Sequence, residues 1–165
     1  MTATTESTYD RLIDLLDGHG ASYRLIDHEP EGRTDVVSPL RGNDLAAAAK
    51  CLVVMVKLSK KHKVHVLAVV PGDRRVDLGR LKALRSGTYA GVADPAIATE
   101  LSGCQVGTVL PFTFDERLEL VVDPGLYAHD EIFFNAARLD RSLALRTDDY
   151  RRIAAPTEAT ISSQG

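Results

Sequence analysis

A lysine at the entrance to an apolar run is where this chain most plainly offers chemistry. Lys50 precedes Cys51-Leu52-Val53-Val54-Met55-Val56, where a charge is least expected. Further along, Gly107-Thr108-Val109-Leu110-Pro111 reads as a Gly-to-Pro loop closed by Phe112. Glycine allows a backbone to approach a ligand closely and proline fixes the exit, so such a loop can present N–H donors. An ammonium at a buried edge together with that nest suits an ester carbonyl or a phosphate. Each feature alone has a plainer reading. A lysine can lay its stem along apolar neighbours with its charge in water, and a Gly-to-Pro turn can merely connect two elements.

Other chemistries find less support. The loop lacks phosphate-loop spacing and no Gly-Lys-Ser/Thr follows, which argues against a nucleotide triphosphatase. His19, His28, His62, His65 and His129 show no HxxxH or His/Cys spacing for zinc, so no metal is expected. There is no Gly-x-Ser-x-Gly elbow, and neither Cys51 nor Cys104 has a recognisable catalytic context. A hydrolase built on this chain would use water as its nucleophile. Lys57, Lys60, Lys61 and Lys63, with His62, form a basic run that reads either as a solvated turn or as a contact for nucleic-acid phosphates. An aromatic content of 5% with no Trp gives little material for stacking on extended single strands.

Composition bounds the class. The 165 residues suit one domain, and 44% hydrophobic with 26% charged residues is the balance of a soluble globular chain. A net charge of −3 argues against a strong, non-specific polyanion binder but leaves room for one basic patch. Cys51 and Cys104 lie in separate apolar segments and are expected as reduced thiols. Met1-Thr2-Ala3-Thr4-Thr5-Glu6-Ser7 lacks the basic-then-apolar pattern of a signal peptide, and no apolar run is long enough to span a membrane. The cytoplasm is the expected compartment.

The elements that must position these residues are marked by period and punctuation. Tyr9, Leu12, Ile13 and Leu16 follow helical spacing, with Gly18 and Gly20 as stop signals. Tyr23-Arg24-Leu25-Ile26 is a short strand, and Arg33 to Asn43 a short helix or loop. Lys50 to Leu58 and Val64 to Val70, joined by Ser59-Lys60-Lys61-His62-Lys63, predict a β-hairpin. Val76 to Arg85 predicts an amphipathic helix. Asp94-Pro95 opens another, which Gly103 ends. Strands are expected at Thr88 to Val92, Gln105 to Val109, Leu118 to Val122, Glu131 to Asn135 and Ser142 to Arg146, with a closing helix from Asp148 to Ala154. Residues 1–155 are expected as a single domain, followed by a polar tail over 156–165. Strands interspersed with short helices indicate an α+β domain around a mixed sheet.

With those residues in order, the chain resembles the YbaK/prolyl-tRNA synthetase-associated editing domain family. The resemblance rests on Ala48-Ala49-Lys50-Cys51-Leu52-Val53-Val54, Val64 to Val70, Gly107 to Phe112, and Phe134-Asn135-Ala136-Ala137. It extends from about His28 to Ile153. Arg41-Gly42-Asn43 and Asp130-Glu131-Ile132 draw it closest to the free-standing YeaK-like branch. The resemblance implies a mixed, barrel-like β-sheet with short surrounding helices, and hydrolysis of the ester joining a wrong amino acid to tRNA. It makes Lys50 the functional lysine and Gly107 to Pro111 the loop holding the aminoacyl-adenosine end. Asn135 falls where relatives place a polar or histidine residue near the substrate, and the pocket is expected to have Asn135 and His28 on its margin. Cys51 departs from branches that carry asparagine after the lysine, and so from the pattern of alanine on proline tRNA.

The implied partner is the acceptor end of an aminoacyl-tRNA, with Lys60, Lys61 and Lys63 as positioning contacts and a synthetase as a further partner. No cofactor is expected. Few aromatics for a large apolar pocket, together with the small substrates of the resembling branches, imply Ala, Ser or Thr rather than bulky residues. The alternative is a non-catalytic module that binds an aminoacyl-adenosine-like ligand or a synthetase without turnover.

Overall fold

Within residues 7–164, which the computed structural model describes, the chain opens with helix α1 (Thr8–Gly18). Ser7 caps it by accepting from the Asp10 N–H, and Leu12 and Leu16 bury the inward face. The expectation of no signal peptide falls on residues almost wholly outside that described range. Strand β1 (Tyr23–Asp27) follows, then α2 (Thr34–Arg41), which Gly42 ends in the left-handed conformation. A 3-10 turn at Leu45–Ala47 delivers the chain to β2 (Ala49–Ser59), paired antiparallel with β3 (His62–Pro71) as the two apolar runs predict.

Next come β4 (Arg74–Val76), α3 (Leu78–Leu84), β5 (Tyr89–Val92) and α4 (Pro95–Ser102). Asp77 caps α3, so the helix starts later than the Val76 expected, while Asp94, Pro95 and Gly103 mark α4 as read. Strands β6 (Leu118–Val122), β7 (Glu131–Asn135) and β8 (Arg141–Arg146) and helix α5 (Thr147–Ala154) complete the expected elements, with an additional 3-10 turn (Pro124–Ala128) between β6 and β7. Two short strands remain, β9 (Thr157–Glu158) and β10 (Ser162–Gln164).

The strands form three sheets, ordered β5-β2-β3-β6-β9, β1-β8-β7 and β10-β4. The fold is mixed, since β3, β6 and β9 run parallel while the other pairs are antiparallel. The barrel-like sheet expected from the family resemblance needs correction, because none of the three sheets closes. β5 and β9 are open edges of the large sheet, and β7 meets the start of β2 only through the isolated bridge Ala48↔Phe133. That bridge brings the two larger sheets together beside Lys50.

Both faces of β2 and β3 are covered, which is why their sequences read as nearly unbroken apolar runs. Val53, Leu67 and Val69 pack with Leu12, Leu16 and Phe134, whereas Val54, Val56 and Val66 pack with Leu81, Val121 and Ile161. Phe112 lies edge-on to Tyr150 at 5.2 Å and to Phe134 at 6.2 Å, so the Gly-to-Pro loop leaves directly from the core. Cys51 and Cys104 are both free thiols. Among the described residues no helix is long and apolar enough to cross a membrane.

Two expectations fail, one through a local turn and one through long-range pairing. Gln105 to Val109 is not a strand, because Thr108 turns its N–H and its hydroxyl back onto the Gln105 carbonyl (3.0 and 2.8 Å) and Gly107 has φ +85°. Residues 156–164 are not a free polar tail: β9 extends the large sheet, β10 pairs with β4, and Ile161 is fully buried. The anchor is Asp123, whose Oδ2 accepts the Ile161 and Ser162 N–H groups (both 3.0 Å) while Oδ1 accepts from Gly125 (2.8 Å).

Candidate functional site

Where the bridge joins the sheets, a cavity of about 80 Å³ opens between the first residues of β2 and the Gly-to-Pro loop. Lys50, Gly107 and Asn135 all line it, as do Gly32, Thr34 and Arg41. Ala49, Cys51, Val109 and Phe134 supply the rest of the wall. Residues remote in sequence thus share one small, mostly polar chamber.

Lys50 is half-buried and donates from Nζ to the Arg74 carbonyl at 3.0 Å. An ammonium has three donors, so two remain for a ligand or water. Strand alternation puts Lys50 on the side of Leu52 and Val54, toward β4, which is how its stem reaches Arg74. Arg74 is itself held by Ser162, whose hydroxyl accepts from Nε at 2.7 Å. The C-terminal strand therefore supports the lysine through β4.

The loop divides its labour. Leu110 and Pro111 are buried, and the Pro111 carbonyl accepts from the Tyr150 hydroxyl at 2.7 Å, which anchors the loop to α5. Thr108 is buried and closes the turn onto Gln105. The N–H groups of Gly107 and Val109, in contrast, donate to no other residue among those described, and both residues face the cavity. They are the available pair of backbone donors.

Gly107 also touches Gly32. A Cβ built at Gly32 would lie 2.8 Å from the Gly107 Cα, closer than such atoms ever pack, and Gly107 has a positive φ that disfavours any side chain. Gly32→Ala is therefore expected to push the loop outward and lower kcat/KM at least about tenfold with little change in melting temperature, because a shift of about 1 Å misplaces donors at a reacting centre. Parallel kinetics and thermal melts check this, and an unaffected kcat/KM would show that the contact does not set the loop.

Asn135 lines the cavity and also holds its wall together. Its amide donates to the carbonyls of Glu31 and Arg138, both at 3.0 Å, so it ties the Gly32 segment to the turn after β7. Its Oδ1 faces Arg41 Nη1 at 3.5 Å. His28 does not line the cavity. It stands behind it, with Nε2 2.6 Å from the Ser142 hydroxyl, which in turn accepts from Arg41 at 3.2 Å. Nδ1 lies 2.8 Å from the Glu29 carbonyl, which can only accept, so Nδ1 carries the proton and Nε2 accepts from Ser142.

Arg41 is the residue sequence reasoning used only as a family marker. It is 7% exposed, and desolvation lowers its guanidinium to about 10. Cys51, on the adjoining wall, has its thiol pushed up by burial and then by the neighbouring Cys104, so it stays protonated and unreactive at neutral pH. Lys60, Lys61 and Lys63 are exposed at the hairpin tip, ten residues along β2 from Lys50 or roughly 33 Å of strand. They are no part of the cavity. On the other side of the Gly32–Gly107 contact runs a broad groove of about 1140 Å³, bordered by Tyr9, Arg11, Thr108 and Arg138.

Comparison with known proteins gives the family to which this fold belongs. Residues 28–153 match the Aminoacyl-tRNA editing domain, and the chain belongs to that family. It is 45% identical over 150 residues to the Escherichia coli K12 protein named Multifunctional Ser/Thr-tRNA deacylase ProXp-y, covering 90% of this chain and 89% of that one. Among solved structures, it superposes on a putative trans-editing enzyme for prolyl tRNA synthetase with a TM-score of 0.78 at 19% identity, covering 97% and 99% of the two chains. The hypothetical protein APE2540 gives a TM-score of 0.82 at 21% identity, covering 93% and 99%. At those identities the two structures speak for the fold alone.

Proposed function

We propose that this protein hydrolyses the ester bond of mischarged aminoacyl-tRNA carrying a small amino acid, acting in trans on the released tRNA. The observation that carries this reading is the cavity shared by Lys50 and the free N–H groups of Gly107 and Val109. An aminoacyl ester is already activated, so the site needs only to place water and stabilise one oxyanion. Water adds to the ester carbonyl, Gly107 and Val109 receive the developing negative charge, and Lys50 adds a positive field. The bond to the ribose oxygen then breaks, and the amino acid leaves the tRNA hydroxyl behind. One well-aimed donor in such a site supplies on the order of 3 kcal/mol.

The tRNA acceptor end is the natural partner. The broad groove next to the loop carries Arg11 and Arg138 and suits the strand leading to the terminal nucleotide. Lys60, Lys61 and Lys63 act only on more distant phosphates, as positioning contacts. A synthetase that releases the mischarged tRNA is a fitting second partner, and the cytoplasm, where charged tRNA circulates, is the fitting compartment.

Substrate size follows from the chamber. About 80 Å³ admits the side chains of Ala, Ser or Thr, and Thr34 and Arg41 on its wall favour a hydroxyl. The relative named a Ser/Thr-tRNA deacylase points the same way. Incubation with Ala-, Ser-, Thr-, Leu- and Phe-charged tRNAs is expected to release the small residues at overlapping rates, since one methylene is worth only about 1–3 kcal/mol, and to leave Leu and Phe attached. Faster release of Leu or Phe than of every small residue would reject the pocket. Tight binding of charged tRNA without turnover would mark a binding module instead.

A further inference from the structure

The chamber beside Lys50 holds a buried positive charge with no acid to balance it. The four groups that accept from Arg41 are neutral oxygens: Asn43 Oδ1 at 2.9 Å, Asn135 Oδ1 at 3.5 Å, Ser142 Oγ at 3.2 Å and Ser38 Oγ at 3.4 Å. These occupy four of its five N–H groups and leave one to spare. None of the ion pairs among the described residues includes Arg41. Lys50 adds a second cation to the wall, and no Asp or Glu lines it. Glu31, the nearest acid in sequence to Gly32, does not line the chamber, and its Oε2 accepts from the N–H groups of Gly32 and Arg33 (both 2.9 Å).

An aminoacyl ester brings an α-amino group, and such groups are protonated in good part near neutral pH, with ordinary pKa values of about 7.7–8.0. Inside so small a chamber that ammonium would sit within ~6 Å of Arg41. At an effective dielectric of ~20, one unshielded like charge at that distance disfavours occupancy by roughly a hundredfold. A site that recognised the ammonium would place a carboxylate there. This one places a guanidinium.

We infer that the chamber takes the acyl group with an uncharged α-substituent, so that 2-hydroxyacyl esters of tRNA are substrates alongside the aminoacyl esters. The inference rests on the deacylase reading above and extends its substrate class. The reaction is unchanged. Water oxygen bonds to the carbonyl carbon, the bond to the ribose oxygen breaks, that oxygen takes a proton from the water, and a 2-hydroxy acid leaves. A substrate of this kind arises wherever the α-amino group of a charged tRNA is replaced by hydroxyl, or a 2-hydroxy acid is loaded in error.

The test compares the full-length protein on one tRNA carrying either serine or its 2-hydroxy counterpart, glycerate, each corrected for spontaneous hydrolysis. At pH 8 the two single-turnover rates are expected to agree within about threefold, and at pH 6 the glyceryl ester is expected to be hydrolysed about 30-fold faster, because only serine carries a titrating amine. The titratable groups facing the chamber are Arg41 from α2 and Lys50 and the Cys51 thiol from β2, with His28 behind Ser142. Their titration would affect both esters, so the ratio of rates isolates the substrate amine. Arg41→Gln keeps neutral donors while removing the charge, and is expected to flatten the pH dependence of the serine ester. A glyceryl ester cleaved more than about tenfold slower than serine at both pH values would overturn the inference, because the ammonium would then be a recognised group. Failure to cleave either ester would instead bring down the deacylase reading, and the inference with it.

Discussion

Lys50→Ala is expected to yield a folded protein that releases serine from tRNA at least about tenfold more slowly than the parent, a loss of a few kcal/mol of transition-state stabilisation. The fold should survive because the Lys50 side chain makes one hydrogen bond among the described residues, to a carbonyl of Arg74 on a short two-stranded sheet, and its backbone pairing with Val70 is untouched. Losing such a bond costs about 1 kcal/mol where water can replace the donor. The chemistry should suffer more, since Lys50 borders the chamber and its ammonium keeps two donors beyond the one given to Arg74. Lys50→Arg should not restore the rate, as a planar guanidinium cannot occupy the place of a compact ammonium. Single-turnover deacylation beside a urea melt separates the two effects, and near-normal turnover in a well-folded Lys50→Ala protein would remove the lysine from the mechanism.

The second large effect is expected far from the chamber. Asp123→Ala should destabilise the fold by about 3 kcal/mol or more, because the buried N–H groups of Ile161 and Ser162 and the part-buried one of Gly125 lose their acceptor together. With β10 released, Ser162 no longer holds Arg74, and the carbonyl that orients Lys50 shifts. Deacylation should therefore fall even at temperatures where the rest of the fold is intact. Burial alone would raise the Asp123 carboxyl, but the N–H donors of Gly125, Ile161 and Ser162 and the Ser162 hydroxyl outweigh it, so its pKa lies below the ordinary value. Its contribution to stability is then fully present above the unfolded value of about 3.9 and is lost as pH falls through the lower folded value. Denaturation midpoints at neutral pH and near pH 3 should converge between wild type and Asp123→Asn as the acid limit is approached. A constant gap across that range would contradict the role given to this carboxylate.

What the sequence determined by itself was whatever rests on local pattern. Leu12 and Leu16 at helical spacing, Asp94-Pro95 before an apolar turn, and two apolar runs around a lysine-rich turn sufficed for α1, α4 and the β2–β3 hairpin. Lys50 and the Gly-to-Pro loop stood out because a charge beside an apolar run and a Gly/Pro pair are visible without knowing what they face. The tertiary structure alone decided their partners. Arg41 looks like any polar helix end until Asn135 and Ser142, some hundred residues away, close over it. Asn135 reads from the sequence as a residue near the substrate, and only the fold shows that its amide also clasps the carbonyls of Glu31 and Arg138. Residues 156–164 are polar enough to pass for a tail, yet Asp123 and β4 supply the hydrogen bonds that order them. Gly32 has no motif, and its need for a missing side chain exists only because Gly107 lies against it. Periodicity records which face of an element is buried, whereas a buried charge, a clasp or a backbone contact is a property of two distant segments, and only their meeting in the fold creates it.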